Sequence, residues 1–309
     1  MNFIIGSRGS QLALWQANWV KERLAAAGFD VEIKVIKTTG DKQQNVPLTQ
    51  SGTKGLFIKE IEEALTAGEV DLAVHSMKDL PTELPAGLVV AAVPEREDAR
   101  DVFISRDGKR FGELPAGARV GTSSVRRQSQ LRKLRSDLEL VPLRGNLDTR
   151  LRKLDRGDCH ALVLAAAGVH RLRLRQRITE YFSPEQICPA VGQGALAIEI
   201  RQGDERTAGA VNPLDHDATH QAVCAERAML RHLGGGCQVP IAAHATPQNE
   251  ELNLVGVVAS LDGSTLIRAT ASGAFGDPES LGARVAQDLL QRGARAILHS
   301  AGPEQETQH

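Results

Sequence analysis

FIIGSRGSQLALWQANWVKERLAAAGFDVEIKVI, residues 3–36, is the stretch that decides the fold. A short apolar strand over 3–6 runs into Ser, Arg and Gly; a helix follows from about 10 to 27, and 31–36 is a second strand. Outward from it, a helix near 56–67 and a strand over 70–75 extend the order to β-α-β-α-β. The order recurs from Ala118: a strand over 119–121, a helix over 125–134, a strand over 138–143, a helix near 148–156 and a strand over 161–165. Two α/β units with doubly wound sheets are predicted, their ligand sites in the loops beyond the carboxyl ends of the strands. After about Thr219 the pattern changes to a helix ending near Leu233, three glycines, alternating strands over 252–260 and 265–272, and a helix over 278–292, which makes a separate α+β unit. The polar stretch 40–55 lacks periodicity and reads as a long loop, a candidate lid.

Composition limits the partners. A chain of 309 residues, 41% hydrophobic, has room for two or three domains. Its 37 basic and 38 acidic residues nearly cancel, so an anion-binding surface must arise by local clustering. Aromatic residues make up 3% of the chain, and no basic motif carries interleaved stacking groups, which argues against a nucleic-acid module. The first ten residues lack the pattern of an export signal and no apolar run is long enough to span a membrane, so a cytoplasmic protein is expected. Cys159, Cys188, Cys224 and Cys237 are widely spaced without a CxxC pair, excluding a disulfide scaffold and a structural zinc site. Cys159 and Cys188 read as structural and Cys224 as a core residue, whereas Cys237 follows Gly234-Gly235-Gly236, a run that lets its loop reach into a cleft. His216 and His220 stand four apart with no third ligand, so no metal is expected.

Hydroxyls, glycines and cations gather where the strands end: Ser7-Arg8-Gly9-Ser10, Ser76-Met77-Lys78-Asp79, Thr122-Ser123-Ser124 before Arg126-Arg127, and Arg144-Gly145-Asn146. Hydroxyl residues at helix starts leave N–H groups pointing outward toward an anion, and arginine supplies a planar fork that fits a carboxylate. At any one strand end the plain alternative is a helix cap and a solvated arginine. Four ends of one chemical character favour a polyanionic ligand. In the run Arg171, Arg173, Arg175, Arg177, a solvated face is the ordinary reading, and only Arg171 is a candidate. Asp79 is the lone acid among these cations.

These residues resemble the porphobilinogen deaminase family, also called hydroxymethylbilane synthases. The likeness rests on Gly6-Ser7-Arg8 with Ser10-Gln11-Leu12-Ala13, Lys54-Gly55-Leu56-Phe57, His75-Ser76-Met77-Lys78-Asp79, residues 121–127, Arg144-Gly145-Asn146, Val191-Gly192-Gln193-Gly194 and Gly235-Gly236-Cys237-Gln238-Val239-Pro240, in the family's order. The resemblance implies two periplasmic-binding-protein-like (type II) α/β domains with mixed doubly wound sheets around a cleft, plus a C-terminal α+β domain. It divides the chain into domain one at 1–95 with 191–213, the latter crossing back into the first sheet, domain two at 100–188 and domain three at 217–309. Hinges are expected at 94–101 and 182–189.

The resemblance also implies a dipyrromethane cofactor held by a thioether to Cys237, on which four porphobilinogen molecules are coupled with loss of ammonia before hydroxymethylbilane is released. It gives Asp79 the catalytic role. Arg8, Ser10, Lys54, Ser76, Lys78, Thr122, Ser123, Ser124, Arg126, Arg127, Arg144, Gly145, Arg150, Arg171 and Gln193 are the implied cofactor and substrate contacts, with Lys54 guarding the cleft. A monomer is implied, with hand-off of its product to uroporphyrinogen III synthase and no nucleic-acid or membrane partner. Gln50 departs from the pattern, standing where several relatives carry a second lysine. A non-catalytic carboxylate-binding protein of the same architecture is the rival reading; it accounts for neither the Gly-Gly-Gly-Cys run nor Asp79.

Overall fold

The computed structural model describes residues 2–39, 58–234 and 239–301. Strand β1 (Asn2–Ser7) leads into helix α1 (Gln11–Ala26), whose start is fixed by Ser10 Oγ accepting from the Ala13 N–H at 3.3 Å. Gln16, Ala17, Val20 and Leu24 recur at helical spacing and are buried on the sheet. Strand β2 (Asp30–Val35) pairs parallel to β1, and helix α2 (Lys59–Thr66) brings the chain to β3 (Leu72–Ser76). The first four residues of β3 are buried, as a central strand covered on both faces requires. Strands β4 (Leu88–Ala92) and β10 (Leu196–Arg201) complete a sheet of order β2-β1-β3-β10-β4, with β10 antiparallel to both neighbours.

The second sheet contains β5 (Asp101–Ser105), β6 (Arg119–Gly121), β7 (Glu139–Val141), β8 (Ala161–Ala165) and the short β9 (Glu180–Tyr181). Helices α3 (Val125–Leu134), α4 (Leu147–Asp155) and α5 (Ala166–Arg171) alternate with these strands. Its order, β7-β6-β8-β5-β9, repeats that of the first sheet, with β5 antiparallel to β8. In each sheet a strand from outside the local β-α-β run enters antiparallel beside the third strand, which is the type II periplasmic-binding-protein plan. Phe103, Phe111 and Phe182 pack edge to face under the second sheet, with centroids 5.6, 6.1 and 5.2 Å apart.

Helix α6 (Glu205–Val211) precedes α7 (Asp217–His232), which packs with α8 (Pro278–Leu289) against an antiparallel sheet of β11 (Ile241–Gln248), β12 (Glu251–Ala259) and β13 (Leu266–Ala274). The helix expected over 278–292 stops earlier: Gly293 takes a φ of 101° and kinks the chain into a further helix, α9 (Arg295–Ala301). Cys159 and Cys188 are buried, but Cys224 is half-buried and not a core residue. It lies on the flank of α7 beside His220, which it hydrogen-bonds, while the core stripe passes through Ala222, Val223, Ala225 and Glu226. The loop at 40–55, with Gln50 and Lys54, and Cys237 lie outside the described residues.

Glu226, an acid in that core stripe, ties the units together. Its carboxylate accepts from Arg96 Nη1 at 2.6 Å and Nη2 at 3.2 Å, from the Gly192 N–H at 2.6 Å and from the Ala245 N–H at 2.8 Å, so α7, β11 and both chain segments between the sheets converge on it. Burial alone would raise its pKa; the charge and hydrogen bonds of Arg96 outweigh burial and hold it at about 2. The stability this carboxylate contributes is therefore complete above about 4.5, the ordinary glutamate value, and is lost as pH falls toward 2. Glu226→Gln is expected to lower unfolding free energy at pH 7 by about 3–5 kcal/mol, the cost of breaking a buried pair. In urea titrations at pH 7 and pH 3 the difference from wild type should shrink at the lower pH.

Candidate active site

The carboxyl ends of β1 and β3 and the first turns of α1 enclose a small cavity of about 60 Å³, lined by Arg8, Ser10, Gln16, His75, Ser76 and Asp79 among others. Gln16 Nε2 donates to Ser76 Oγ at 2.8 Å, fixing the last residue of β3 against α1. A single 3-10 turn, Met77–Asp79, follows. Met77 is its buried anchor, with its N–H on the Ala195 carbonyl at 3.0 Å, and this leaves Lys78 half-buried and Asp79 exposed. The Asp79 carboxylate makes no hydrogen bond or ion pair with any described residue, so pairing with Lys78 does not explain its presence.

Across from this turn, β6 ends in Thr122, Ser123 and Ser124. Ser124 Oγ caps α3 through the Arg127 N–H at 3.4 Å, Ser123 Oγ accepts from the Leu143 N–H at 3.0 Å, and Thr122 Oγ1 accepts from the Ser124 N–H at 3.3 Å. These oxygens thus organise the loop, and the hydroxyl protons remain for a ligand.

Arg126 and Arg127 turn inward. Arg126 Nη1 reaches Asp101 Oδ2 at 2.8 Å and the Cys188 carbonyl at 2.7 Å; Arg127 donates to Asp101 Oδ1 from Nε at 3.1 Å and Nη2 at 2.7 Å, and from Nη1 to the Val163 carbonyl at 3.2 Å. Gln193 Nε2 completes the set at 2.9 Å from the same Asp101 oxygen. Burial opposes ionisation of Asp101, yet the two guanidinium groups hold it charged far below the usual carboxylate range. The resemblance implies Arg126, Arg127 and Gln193 as cofactor and substrate contacts; in the structure all three meet Asp101, which arrives on β5 between them.

The remaining cations crowd the same space. Burial lowers the Lys78 pKa to about 8 against the pull of Asp79, with Arg127 and Arg126 adding to the fall. Arg150, its Nε on the Gly145 carbonyl at 2.8 Å, falls to about 10 through burial first and then the charge of Arg127, with Asp79 opposing and Arg144 adding. Arg150 has no carboxylate within ion-pair distance among the described residues. Arg171 lies apart, buried at the end of α5, its Nη2 on the Gly194 carbonyl at 2.7 Å and its guanidinium 5.6 Å from the Trp15 ring. Burial lowers it to about 10. Arg173 and Arg175 are exposed and Arg177 pairs with Asp155 at 2.5 Å, as expected of a solvated face. Sequence reasoning missed Asp101, Gln16 and Glu226: Gln16 and Glu226 are polar residues inside apolar stretches and Asp101 closes a charged run before one, signals readable only once their partners are known. Among the described residues, no cluster of His, Cys, Asp and Glu could hold a metal; His220 pairs with Asp215 at 2.9 Å and His216 with Thr219 at 2.9 Å.

The fold thus gathers buried cations beside an acid that has no hydrogen bond or ion pair among the described residues, a setting suited to a polycarboxylate ligand. The pattern described as "Porphobilinogen deaminase, dipyromethane cofactor binding domain" matches residues 3–209, and "Porphobilinogen deaminase, C-terminal domain" matches 220–291. Proteins named porphobilinogen deaminase from Syntrophotalea carbinolica and Pelobacter propionicus are each 54% identical to it, over 297 and 296 residues, covering 95% of this chain and 94% and 95% of theirs. The counterpart from Geobacter sulfurreducens is 51% identical over 296 residues, 95% of this chain and 93% of its own. The chain belongs to the porphobilinogen deaminase family. Its reaction is that of hydroxymethylbilane synthase, the head-to-tail joining of four porphobilinogen molecules with release of ammonia onto dipyrromethane.

One glycine holds the Met77–Asp79 turn in place. Gly192 has a φ of 69°, and a Cβ there would stand 2.6 Å from Met77 Cγ and 3.3 Å from the Lys78 nitrogen. Gly192→Ala should displace the turn carrying Asp79 and lower turnover roughly 10–100-fold, a loss measurable by porphobilinogen consumption beside a thermal melt that corrects for unfolded protein.

Proposed function

We propose that Asp79 is the acid that serves every coupling cycle, and that the dipyrromethane primer is attached through a thioether to Cys237. The observation that carries this reading is the exposed, unpartnered carboxylate of Asp79 beside Lys78 and Arg150, cations pushed down by burial that lack a carboxylate of their own among the described residues. Each pyrrole brings an acetate and a propionate, and such side chains fit these cations by charge-assisted hydrogen bonds worth about 1.5–3 kcal/mol each. When bound, the primer supplies a nucleophilic pyrrole carbon.

The chain's own residues do the rest. Arg8, Ser10 and Ser76 line the pocket at Asp79 and orient pyrrole carboxylates there. Lys78 flanks Asp79 on its own turn; Arg144, Gly145 and Arg150, with the hydroxyls of Thr122, Ser123 and Ser124, form the opposing wall, and Arg171 serves a more distant ring. Arg126, Arg127 and Gln193 contribute positive field and shape through Asp101 rather than direct contact. Lys54 closes the cleft. Asp79 stabilises positive charge as ammonia leaves the aminomethyl carbon and handles the protons of coupling. The domain division is 1–95 with 191–213, then 100–188, then 217–309. The enzyme works as a cytoplasmic monomer and hands its unstable open-chain product to uroporphyrinogen III synthase.

Intact mass of the denatured protein tests the attachment: wild type should exceed the chain mass by two linked pyrroles and Cys237→Ser should not. A bare wild-type chain that consumes no porphobilinogen would favour a carboxylate-binding protein. Asp79→Asn should retain the added mass and lose nearly all turnover; wild-type rates from it would remove Asp79 from the mechanism.

A further inference from the structure

His75 and Glu199 lie on the paired strands β3 and β10, with imidazole Nε2 3.0 Å from Glu199 Oε2 and side chains 4% and 0% exposed. Glu62 comes from α2 on the same side of the sheet and is buried; burial first, then the charge of Glu199, pushes its pKa up to about 7 against the pull of His75. Oε1 of Glu62 and Oε1 of Glu199 are buried without a hydrogen-bond partner among the described residues. Two carboxylates with orphaned oxygens beside an imidazole destabilise a core that apolar residues would fill without cost. Their position gives a reason for them: His75 immediately precedes Ser76 and the Asp79 turn, and it lines the Asp79 pocket. With Nε2–H donated to Glu199, Nδ1 is left as a base, and it makes no hydrogen bond to any described residue. The charged groups that face His75 are Glu199 from β10, Glu62 from α2, and Arg8 and Asp79 around the pocket.

We propose that His75, oriented by Glu199 and backed by Glu62, is a proton-relay residue behind Asp79. The proposal rests on the coupling reaction and on the role given to Asp79. In each cycle the C–N bond of the substrate's protonated aminomethyl group breaks and ammonia leaves with the electron pair, already carrying its third proton. The new C–C bond uses the pair of a pyrrole α-carbon, and the proton displaced from that carbon requires a base. Asp79 takes it and passes it across the pocket to His75 Nδ1, where Glu199 stabilises the imidazolium and Glu62 shares the charge. The proton then returns through the exposed Asp79 to solvent, so that Asp79 begins the next cycle ionised.

The test is the pH–rate profile of porphobilinogen consumption by wild type, His75→Asn and Glu199→Gln, each shown by intact mass to carry its pyrroles. His75→Asn should keep KM within about two-fold, lower kcat by ~100-fold and lose one limb of the profile. Glu199→Gln should move that limb, and the double variant should fall no further than His75→Asn. Loss of rate that merely follows loss of folded protein, with the profile unchanged, would leave His75 a structural residue and overturn the proposal, as would an unchanged kcat. A second measurement is independent of turnover: in Cys237→Ser protein, nitrogen NMR should show the His75 imidazole held as one tautomer, with Nε2–H and a bare Nδ1, and Glu199→Gln should abolish that preference. An imidazole spectrum that does not respond to the substitution refutes the coupling of the pair. Wild type that consumed no porphobilinogen would refute the reaction itself, and the NMR spectrum would still decide whether Glu199 orients His75.

Discussion

The structure depends on one buried chain of charge that runs from the third unit, through the segments between the α/β sheets, to the first strand of the second sheet. Glu226 on α7 grips Arg96; Arg96 Nε donates to the Gln193 carbonyl at 2.8 Å; Gln193 meets Asp101; and Asp101 is held by Arg126 and Arg127. Arg96 and Gln193 belong to the two segments that pass between the α/β sheets, so the width of the cleft is fixed at the place where the domains join. A buried ion pair does little for net stability compared with apolar packing, but losing either partner is costly, which makes this chain a device for position more than for strength. Hinges at 94–101 and 182–189 would thus bend around fixed points: Arg96 and Asp101 in the first, and next to the second the Cys188 carbonyl, which Arg126 and Gln130 both hold.

The same chain explains how a nearly neutral protein presents a cationic cleft. Asp101 is ionised and faces Arg126 and Arg127, so one negative charge accompanies two positive ones inside the wall. The surplus reaches Lys78 and Arg150, whose depressed pKa values record both burial and that neighbouring charge. Cations held away from water in this way bind anions more strongly than solvated ones, because part of their desolvation has already occurred during folding. Asp79 sits inside this field as the one acid left without an internal partner among those lining its pocket.

Much of this was legible in the residues, for identifiable reasons. The β-α-β order of each α/β unit shows because α1, α2 and α4 bury apolar residues at helical spacing and their strands are short apolar runs. The strand-end motifs show because each places its hydroxyls and cations within a few consecutive residues. The pairing of Arg126 and Arg127 with Asp101 does not show, since an arginine's type gives no hint of whether its carboxylate is a substrate's or one 25 residues away. Strands β4, β5, β9, β10 and β11 were absent from the periodic reading, β10 being expected only from the family resemblance: runs as short as the two residues of β9, or continuous apolar stretches such as Val102–Ile104, carry no alternation. His75 and Glu199 stand in the same light, each a polar residue in a run that otherwise reads as core, 124 residues apart and meeting only when β10 pairs with β3.

The placement of β10 also bears on how the chain is made. Every strand of the second sheet lies between Asp101 and Tyr181, so that sheet has all its parts as soon as its own segment has emerged from the ribosome. The first sheet begins earlier and finishes later: β1 to β4 are synthesised by Ala92, but the strand that separates β3 from β4 starts only at Leu196. Until then β3 and β4 have open edges with unpaired N–H and C=O groups, a form of nascent chain that invites pairing with other chains or with a chaperone. The α/β unit that starts first along the chain is therefore completed after the second, and the acid at the end of β3 gains its finished setting only once the second α/β unit has been synthesised.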